Sequence, residues 1–256
     1  MKGRVTKVTR IISVFLALLF MSSEAQAERF SGSFSSGVDS EYLVKPGFIV
    51  YNKPMWWNNL RLEYDGWYVN LWGSLGIDSE RGTFGDEGDI TIGKKFTAAG
   101  CNIDISGSYF ALADIGEYSN DLYIFDAHAN FPEKIPWITP WVAARYFGSV
   151  GENSPRAGWF GWVGFERLQP LGFQLPLQDQ EFAVNFDAWA AFSMGGAFGG
   201  DAGPVYTRLK ASTKIIINED NFITPWIMWH APIQGVGNYL DGEHHFIYGI
   251  SFTHSF

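Results

Sequence analysis

The last segment of the chain alternates between two kinds of residue with a period of two, and it ends on a phenylalanine. Successive side chains of a β-strand point to opposite faces, so this segment has one apolar face and one mainly polar face. The apolar face holds Phe246, Tyr248, Ile250, Phe252 and Phe256. The other face holds His245, Gly249, Ser251, Thr253 and Ser255, with Ile247 as its exception. The segment therefore predicts a strand with apolar surroundings on one side and water on the other.

The same two-faced pattern recurs upstream, most clearly in 101–110, 181–194 and 203–217. A soluble β-sandwich also alternates, but it keeps its charges outside and its apolar faces in one core. Here aromatic residues make up 17% of the chain and charged residues only 18%, below the quarter or so that is usual for soluble domains. That composition favours a membrane barrel, which is apolar and aromatic outside and polar within. The net charge of −9 and the lack of a basic stretch argue against nucleic-acid binding.

Residues 1–27 have the features of an export signal. A basic start is followed by an apolar run from Ile11 to Met21 and by the small-x-small site Ala25-Gln26-Ala27, the pattern that signal peptidase cuts. The run has about 11 residues, whereas a membrane-spanning helix needs roughly 20. We therefore expect cleavage after Ala27, export to the bacterial outer membrane, and a single transmembrane β-barrel domain over 28–256.

Two resemblances support this expectation. The C-terminal alternation through Tyr248, Ile250, Phe252 and Phe256 resembles the signal that the barrel-assembly machinery reads in bacterial outer-membrane proteins, which implies that machinery as a partner. His254 departs from it, because an aromatic residue is more usual there. The stretch from 36–42 through the Asp65-Gly66 turn to 67–72 is similar to the start of small, uncharacterised proteobacterial outer-membrane proteins. That likeness implies a barrel and names no substrate.

Counting the alternating segments predicts an all-β, antiparallel up-and-down barrel of about twelve strands, with ten or fourteen as alternatives. The segments are 30–41, 58–65, 67–77, 88–97, 101–111, 121–131, 139–148, 157–168, 181–194, 203–217, 221–231 and 243–256. Short and long connections mostly alternate, as periplasmic turns and outer loops do. The link 168–180 is longer than this rule allows, and 42–57 could hold part of a strand. Acidic residues such as Asp86 and Glu87 fall in predicted outer loops, where divalent cations could join them to lipopolysaccharide; outer-membrane lipids are the other expected partner.

Extending the alternation along each strand predicts which charged side chains line the lumen. The predicted lumen residues are Arg61, Glu63, Lys95, Asp104, Asp126, His128, Arg145, Glu166, Asp187, Arg208, Lys210 and Lys214. Arg208, Lys210 and Lys214 lie on one strand and form a basic stripe, to be hydrated or paired with acids such as Asp187. A salt-bridged plug and a polar conduit for small polar, anionic or zwitterionic solutes both need these residues.

Catalysis would need more than the sequence offers. The motif of the outer-membrane phospholipase family, His-x-Ser-Asn-Gly, does not occur. Asp126 and His128 share a strand face, and a carboxylate beside an imidazole can orient a general base, so this pair is the one suspected catalytic site. His244 and His245 alternate faces and cannot both bind one metal from a regular strand; we expect no metal and no cofactor.

The leading hypothesis is a narrow, porin-like channel, with a lipid- or lipopolysaccharide-modifying enzyme and a plugged structural or adhesin-like barrel as alternatives.

Overall fold

Twelve long antiparallel strands form the wall of the protein. A computed structural model describes residues 30–44, 48–77, 86–112, 121–132, 134–135, 137–150, 156–175, 180–196, 202–233 and 243–256; the predicted signal peptide lies outside these residues. The wall strands are β1 (Phe30–Asp39), β4 (Met55–Tyr64), β5 (Trp67–Gly76), β6 (Glu87–Ala98), β7 (Cys101–Leu112), β8 (Leu122–Asn130), β9 (Thr139–Ser149), β10 (Gly158–Gln174), β11 (Glu181–Met194), β12 (Ala202–Thr213), β14 (Asn221–Pro232) and β15 (His245–Ser255).

The wall closes on itself. Each strand pairs with its neighbour in the chain, β12 pairs with β14, and β15 returns to pair with β1 from Ser33↔Ser255 to Asp39↔Gly249. A short strand, β13 (Ile215–Ile216), continues β12 beyond Lys214 and also pairs with β14. Closure leaves no unpaired strand edge, which a sheet in hydrocarbon cannot tolerate. The prediction of a twelve-stranded antiparallel barrel is confirmed.

The connections divide the barrel into two ends. At the terminal end, where β1 begins and β15 ends, the turns Asp65-Gly66 and Ala99-Gly100 join strands directly, and Asp65 and Ala99 have positive φ. At the loop end the connections are longer. Within 42–57, β2 (Tyr42–Val44) and β3 (Phe48–Tyr51) form a small separate sheet, and β4 begins at Met55, three residues before the predicted start.

The link 168–180 is shorter than predicted because β10 continues to Gln174. Pro170 still opposes Ala183, and the register then shifts before Gln174 pairs with Glu181. Proline cannot donate a backbone hydrogen bond, so sheets accept it mainly at edges and irregularities of this kind. Gly172 has a φ of 78°, which glycine adopts without strain. A proline-glycine stretch that indicates a loop in the sequence therefore forms a bulged strand.

The outer face of the wall is an apolar surface. Its exposed large apolar side chains include Phe34, Trp67, Ile92, Ile105, Phe125, Val142, Val163, Phe186, Leu209, Ile227, Tyr248, Ile250, Phe252 and Phe256. Exposed apolar area on this scale is unusual for a protein in water and is what a barrel in lipid presents. Among the described residues, no helix is long and apolar enough to cross a membrane.

Several aromatic side chains of the wall lie flat over a glycine of the neighbouring strand. Trp57 opposes Gly37, Tyr68 opposes Gly93, Trp141 opposes Gly164 and Trp226 opposes Gly249. A Cβ atom at any of these glycines would fall within 2.4–2.7 Å of the opposing ring. Glycine therefore lets a large ring lie along the wall rather than project across the lumen.

Part of the interior is apolar, which the sequence did not indicate. A buried cluster on β8 to β12 comprises Leu122, Ile124, Trp141, Phe147, Phe160, Trp162, Trp189, Ala191, Val205 and Tyr206. Most of its members lie toward the loop end of their strands, and Phe147 and Phe160 are fully buried with their rings edge to face. On β8 to β12 the polar character expected of the lumen thus lies mainly in its middle and toward the terminal end.

Candidate functional site

The charged residues predicted to line the lumen lie on the wall face opposite the exposed apolar side chains, and most have a partner of opposite charge. Asp126 and Arg145 are cross-strand partners and share two hydrogen bonds of 2.6 Å. Arg208 pairs with Asp187 on β11. Near the terminal end, Glu63 accepts from Arg61 and, at 3.2 Å, from Lys95. Pairing offsets the cost of withdrawing these charges from bulk water.

Aromatic rings cover the basic stripe, which consists of Arg208 and Lys210 on β12 and Lys214 directly after it. Arg208 lies 4.7 Å from the ring centroid of Trp189, and Lys210 lies 4.5 Å from that of Trp226. Lys214 lies 3.9 Å from the ring of Phe222. Cations at such distances are attracted to the negative face of the ring. The three positive charges are therefore engaged with the wall and do not form a bare electropositive track.

A cavity of about 340 Å³ lies among the charged pairs of the middle of the lumen, and we call it the tryptophan cavity. Its lining consists of Tyr68, Asp104, Ser106, Asp126, Ala127, His128, Trp141, Ala143, Trp162, Glu166, Asp187, Trp189 and Arg208. Tyr68 donates to Asp104 over 2.8 Å, which keeps that carboxylate at the cavity wall. Six of the predicted lumen residues thus meet in one cavity, although they come from β7, β8, β10, β11 and β12.

A second cavity of about 260 Å³ lies closer to the loop end. Its lining consists of Asp39, Glu41, Tyr42, Leu43, Met55, Trp57, Trp72, Arg208, Lys210, Trp226, Met228 and Ile247. Arg208 therefore borders both cavities. Asp39 at the end of β1 and Glu41 in the loop after it share this cavity with Lys210. The sequence does not reveal this meeting, because β1 and β12 approach each other only when the ring closes.

The strand β2 is held against the wall by Tyr42. Its hydroxyl donates to Glu87 over 2.7 Å and its ring stacks on Trp72 at 5.3 Å. Glu87 is 2% exposed and begins β6, so its assignment to an outer loop was wrong; burial against Tyr42 overrides its acidic, loop-like sequence context. Asp86 remains in the connection and accepts from the Gly76 backbone at 3.1 Å.

The suspected catalytic pair does not form the arrangement that a base needs. Both oxygens of Asp126 accept hydrogen bonds from Arg145, so this carboxylate is oriented toward the guanidinium. His128 lies beside Trp141, with ring centroids 5.3 Å apart, and opposes Asp104 across the strand pair. Among the described residues, no three His, Cys, Asp or Glu side chains are grouped so that they could hold a metal ion.

Two tryptophans of the cavities are site residues that the sequence analysis missed. Trp141 and Trp57 come near the ends of predicted strands, where tryptophan often lies outward at the membrane interface, yet both turn inward and line the cavities. Trp56, Trp67 and Trp159 do lie exposed on the outer face. Strict parity along β9, with Arg145 as the reference, would have placed Trp141 inside.

The comparison with known proteins reports on the fold. No protein-family model matches the sequence, and no curated protein matches it. The structure resembles the KdgM porin with a TM-score of 0.51 at 8% identity, over 88% of this chain and 99% of that one. A NanC porin structure aligns over 87% and 98% at 9% identity with a TM-score of 0.49. An outer membrane channel from Pseudomonas putida F1 aligns over 89% and 96% at 11% identity with a TM-score of 0.45.

Proposed function

We propose that this protein is a narrow, porin-like channel of the bacterial outer membrane through which small polar solutes diffuse. Export would use the signal peptide, cut after Ala27, and insertion would place the apolar outer wall in lipid. The polar middle of the lumen would then be the path.

One observation carries the proposal: two polar cavities follow one another inside a closed ring, and Arg208 borders both. A ring of twelve strands has too small an interior for a wide pore but enough for water and small solutes. Most charges along this path have a partner of opposite charge, which offsets the cost of holding them inside the barrel. A salt-bridged plug would use the same pairs, but cavities of 340 and 260 Å³ are large enough for several water molecules each.

The other two functions have weaker support in the geometry. A lipid-modifying enzyme would rest on Asp126 and His128, and Arg145 holds both oxygens of Asp126. An adhesin would act through its outer loops, whose tips lie largely outside the described residues. Neither alternative gives a reason for the two successive cavities.

Solute influx into vesicles tests the proposal. Purified residues 28–256 would be refolded into vesicles loaded with an impermeant dextran, and the rate of swelling would be recorded in isosmotic baths of a graded series of polyols. We expect rapid entry of the smallest solutes and a sharp fall with size. Vesicles containing folded protein that swell no faster than empty vesicles would overturn the channel and leave the plugged barrel.

A further inference from the structure

We infer that the tryptophan cavity binds small organic cations that carry an ammonium group together with an oxygen acceptor, as amino alcohols do. The inference rests on the proposed function in one respect, since it names the class of solute that would pass. It concerns binding, however, and can be tested without any flux.

The charge of the lining favours a cation. Asp104, Asp126, Glu166 and Asp187 contribute four carboxylates, and Arg208 is the one Lys or Arg side chain in the described lining. Arg145 also pairs with Asp126, from outside the lining. Four carboxylates beside these two arginines leave an excess of negative charge around the cavity. A concave site with one sign of charge and low-dielectric walls concentrates ions of the opposite sign.

The aromatic residues favour an organic cation over a hydrated metal ion. Trp141, Trp162 and Trp189 line the same cavity as the carboxylates. Trp gives the strongest attraction for a cation over its face, and cages of aromatic rings are the usual site for quaternary ammonium groups. Arg208 already lies over Trp189 in this way, so the cavity wall contains one cation–π contact.

Unpaired polar atoms indicate what else the ligand carries. The indole N–H groups of Trp141 and Trp162 are enclosed and lack a partner, and these residues are 8% and 4% exposed. One carboxylate oxygen of Asp187, 9% exposed, likewise lacks a donor. A buried polar group without a partner destabilises the folded state. A ligand hydroxyl can serve both kinds of atom, since it donates to a carboxylate oxygen and accepts from an indole N–H, while the ammonium group meets the negative charge of the lining. The volume of about 340 Å³ is at the small end of the range for ligand cavities.

This inference names a cationic ligand, whereas the basic stripe in the sequence suggests an anionic solute. Arg208 is paired with Asp187, and Lys210 shares the second cavity with Asp39 and Glu41. Lys214 lies over Phe222. A free anion would therefore compete with resident carboxylates for Arg208 and Lys210 and with an aromatic ring for Lys214, whereas a free cation would meet carboxylates in excess.

Two measurements on the refolded barrel test the inference. Calorimetric titration with choline chloride should show binding. Tetramethylammonium chloride, which lacks the hydroxyl, should bind several-fold more weakly, and sodium acetate should not bind. The reversal potential of single channels in a tenfold choline chloride gradient should report preference for the cation. Choline that binds no better than sodium acetate, or a reversal potential of the opposite sign, overturns the inference.

Variants separate the contributions of charge and ring. Glu166→Gln changes an exposed carboxylate and should weaken choline binding and lower cation preference together. Trp162→Leu removes a ring without changing the charge of the lining and should weaken choline binding about tenfold, and the heat-modifiable gel band shows whether it has folded. If it has not, Glu166→Gln alone decides, and unchanged binding in that variant counts against the site. Choline binding without conductance would overturn the channel proposal and support this inference. Folded protein that neither binds choline nor conducts would overturn both.

Discussion

At the scale of single residues, neighbouring positions of one strand have opposite surroundings. Leu209 on β12 is 50% exposed on the outer wall, and Lys210 faces the second cavity beside Trp226. The period of two in the sequence was enough to predict both positions, because a shift by one residue would have put three basic side chains into lipid. The carboxylates near Lys210 could not be predicted, since Asp39 and Glu41 approach β12 only in the closed barrel.

The first prediction compares a basic substitution at Leu209 with an apolar one at Lys210. Leu209→Arg should lower the free energy of unfolding in lipid vesicles by about 2–4 kcal/mol, because a basic side chain near the bilayer midplane has no water or partner. Lys210→Leu is the matched control and should cost clearly less, since it changes a residue on the lumen side. Denaturant titration of both proteins measures the difference. If Lys210→Leu is the more damaging change, the inward and outward faces of β12 are interchanged.

At the scale of the strands, the aromatic-glycine pairs show how register and interior shape depend on each other. Trp141 on β9 lies over Gly164 on β10, where a Cβ would be 2.5 Å from the indole and 2.7 Å from the Ala188 carbonyl oxygen. A register shifted by one residue would set the ring against a Cβ. The sequence shows both residues, but not that they are opposite, because the length of the β9–β10 connection leaves the register open.

Gly164→Ala is therefore expected to destabilise the barrel. The added methyl group must displace a buried ring or a strand backbone, and overpacking of this kind costs about 1–3 kcal/mol. Gly88→Ala on β6 is the control, because a Cβ there has nothing within 4 Å. Unfolding in urea should separate the two variants. Equal stability of both would show that Trp141 does not lie over Gly164.

The seam between the first and last strands carries the next prediction. Phe256 donates its backbone N–H to Gly32 over 2.9 Å and accepts from it over 2.8 Å, and its side chain is exposed outside. Deleting Phe256 removes both bonds and the terminal residue of the predicted assembly signal. The heat-modifiable form in outer-membrane fractions should then fall sharply.

Phe256→Ala separates the two roles of this residue, because it removes the ring and keeps the backbone bonds. If the ring is read during assembly, this variant should refold in detergent as well as the unmodified chain but accumulate poorly in the outer membrane of cells. The deletion should be impaired in both settings. Unmodified amounts of the folded deletion variant in cells would contradict the assembly role.

At the scale of the whole molecule, the alternation along the chain was enough to predict the fold, and the interior was harder to predict. Twelve segments and their order followed from the period of two and from turn residues such as Asp65-Gly66. The apolar cluster around Phe147 and Phe160 did not, because an apolar residue on the inner face looks like an interruption of the pattern. The tryptophan cavity was equally hidden: its lining comes from seven strands, and only closure of the ring brings them together.

Blocking the lumen at one position tests the central claim, that the polar interior is a path through the barrel. In a Cys101→Ser background, Ser106→Cys places a thiol at the tryptophan cavity and Ile105→Cys places one on the exposed outer wall. Both would be reconstituted in planar bilayers and treated with a trimethylammonium methanethiosulfonate reagent during single-channel recording. We predict a stable conductance that falls stepwise in the Ser106→Cys protein and is unchanged in the Ile105→Cys protein. Folded protein without conductance, or a conductance that the reagent leaves unchanged at both positions, would contradict the account.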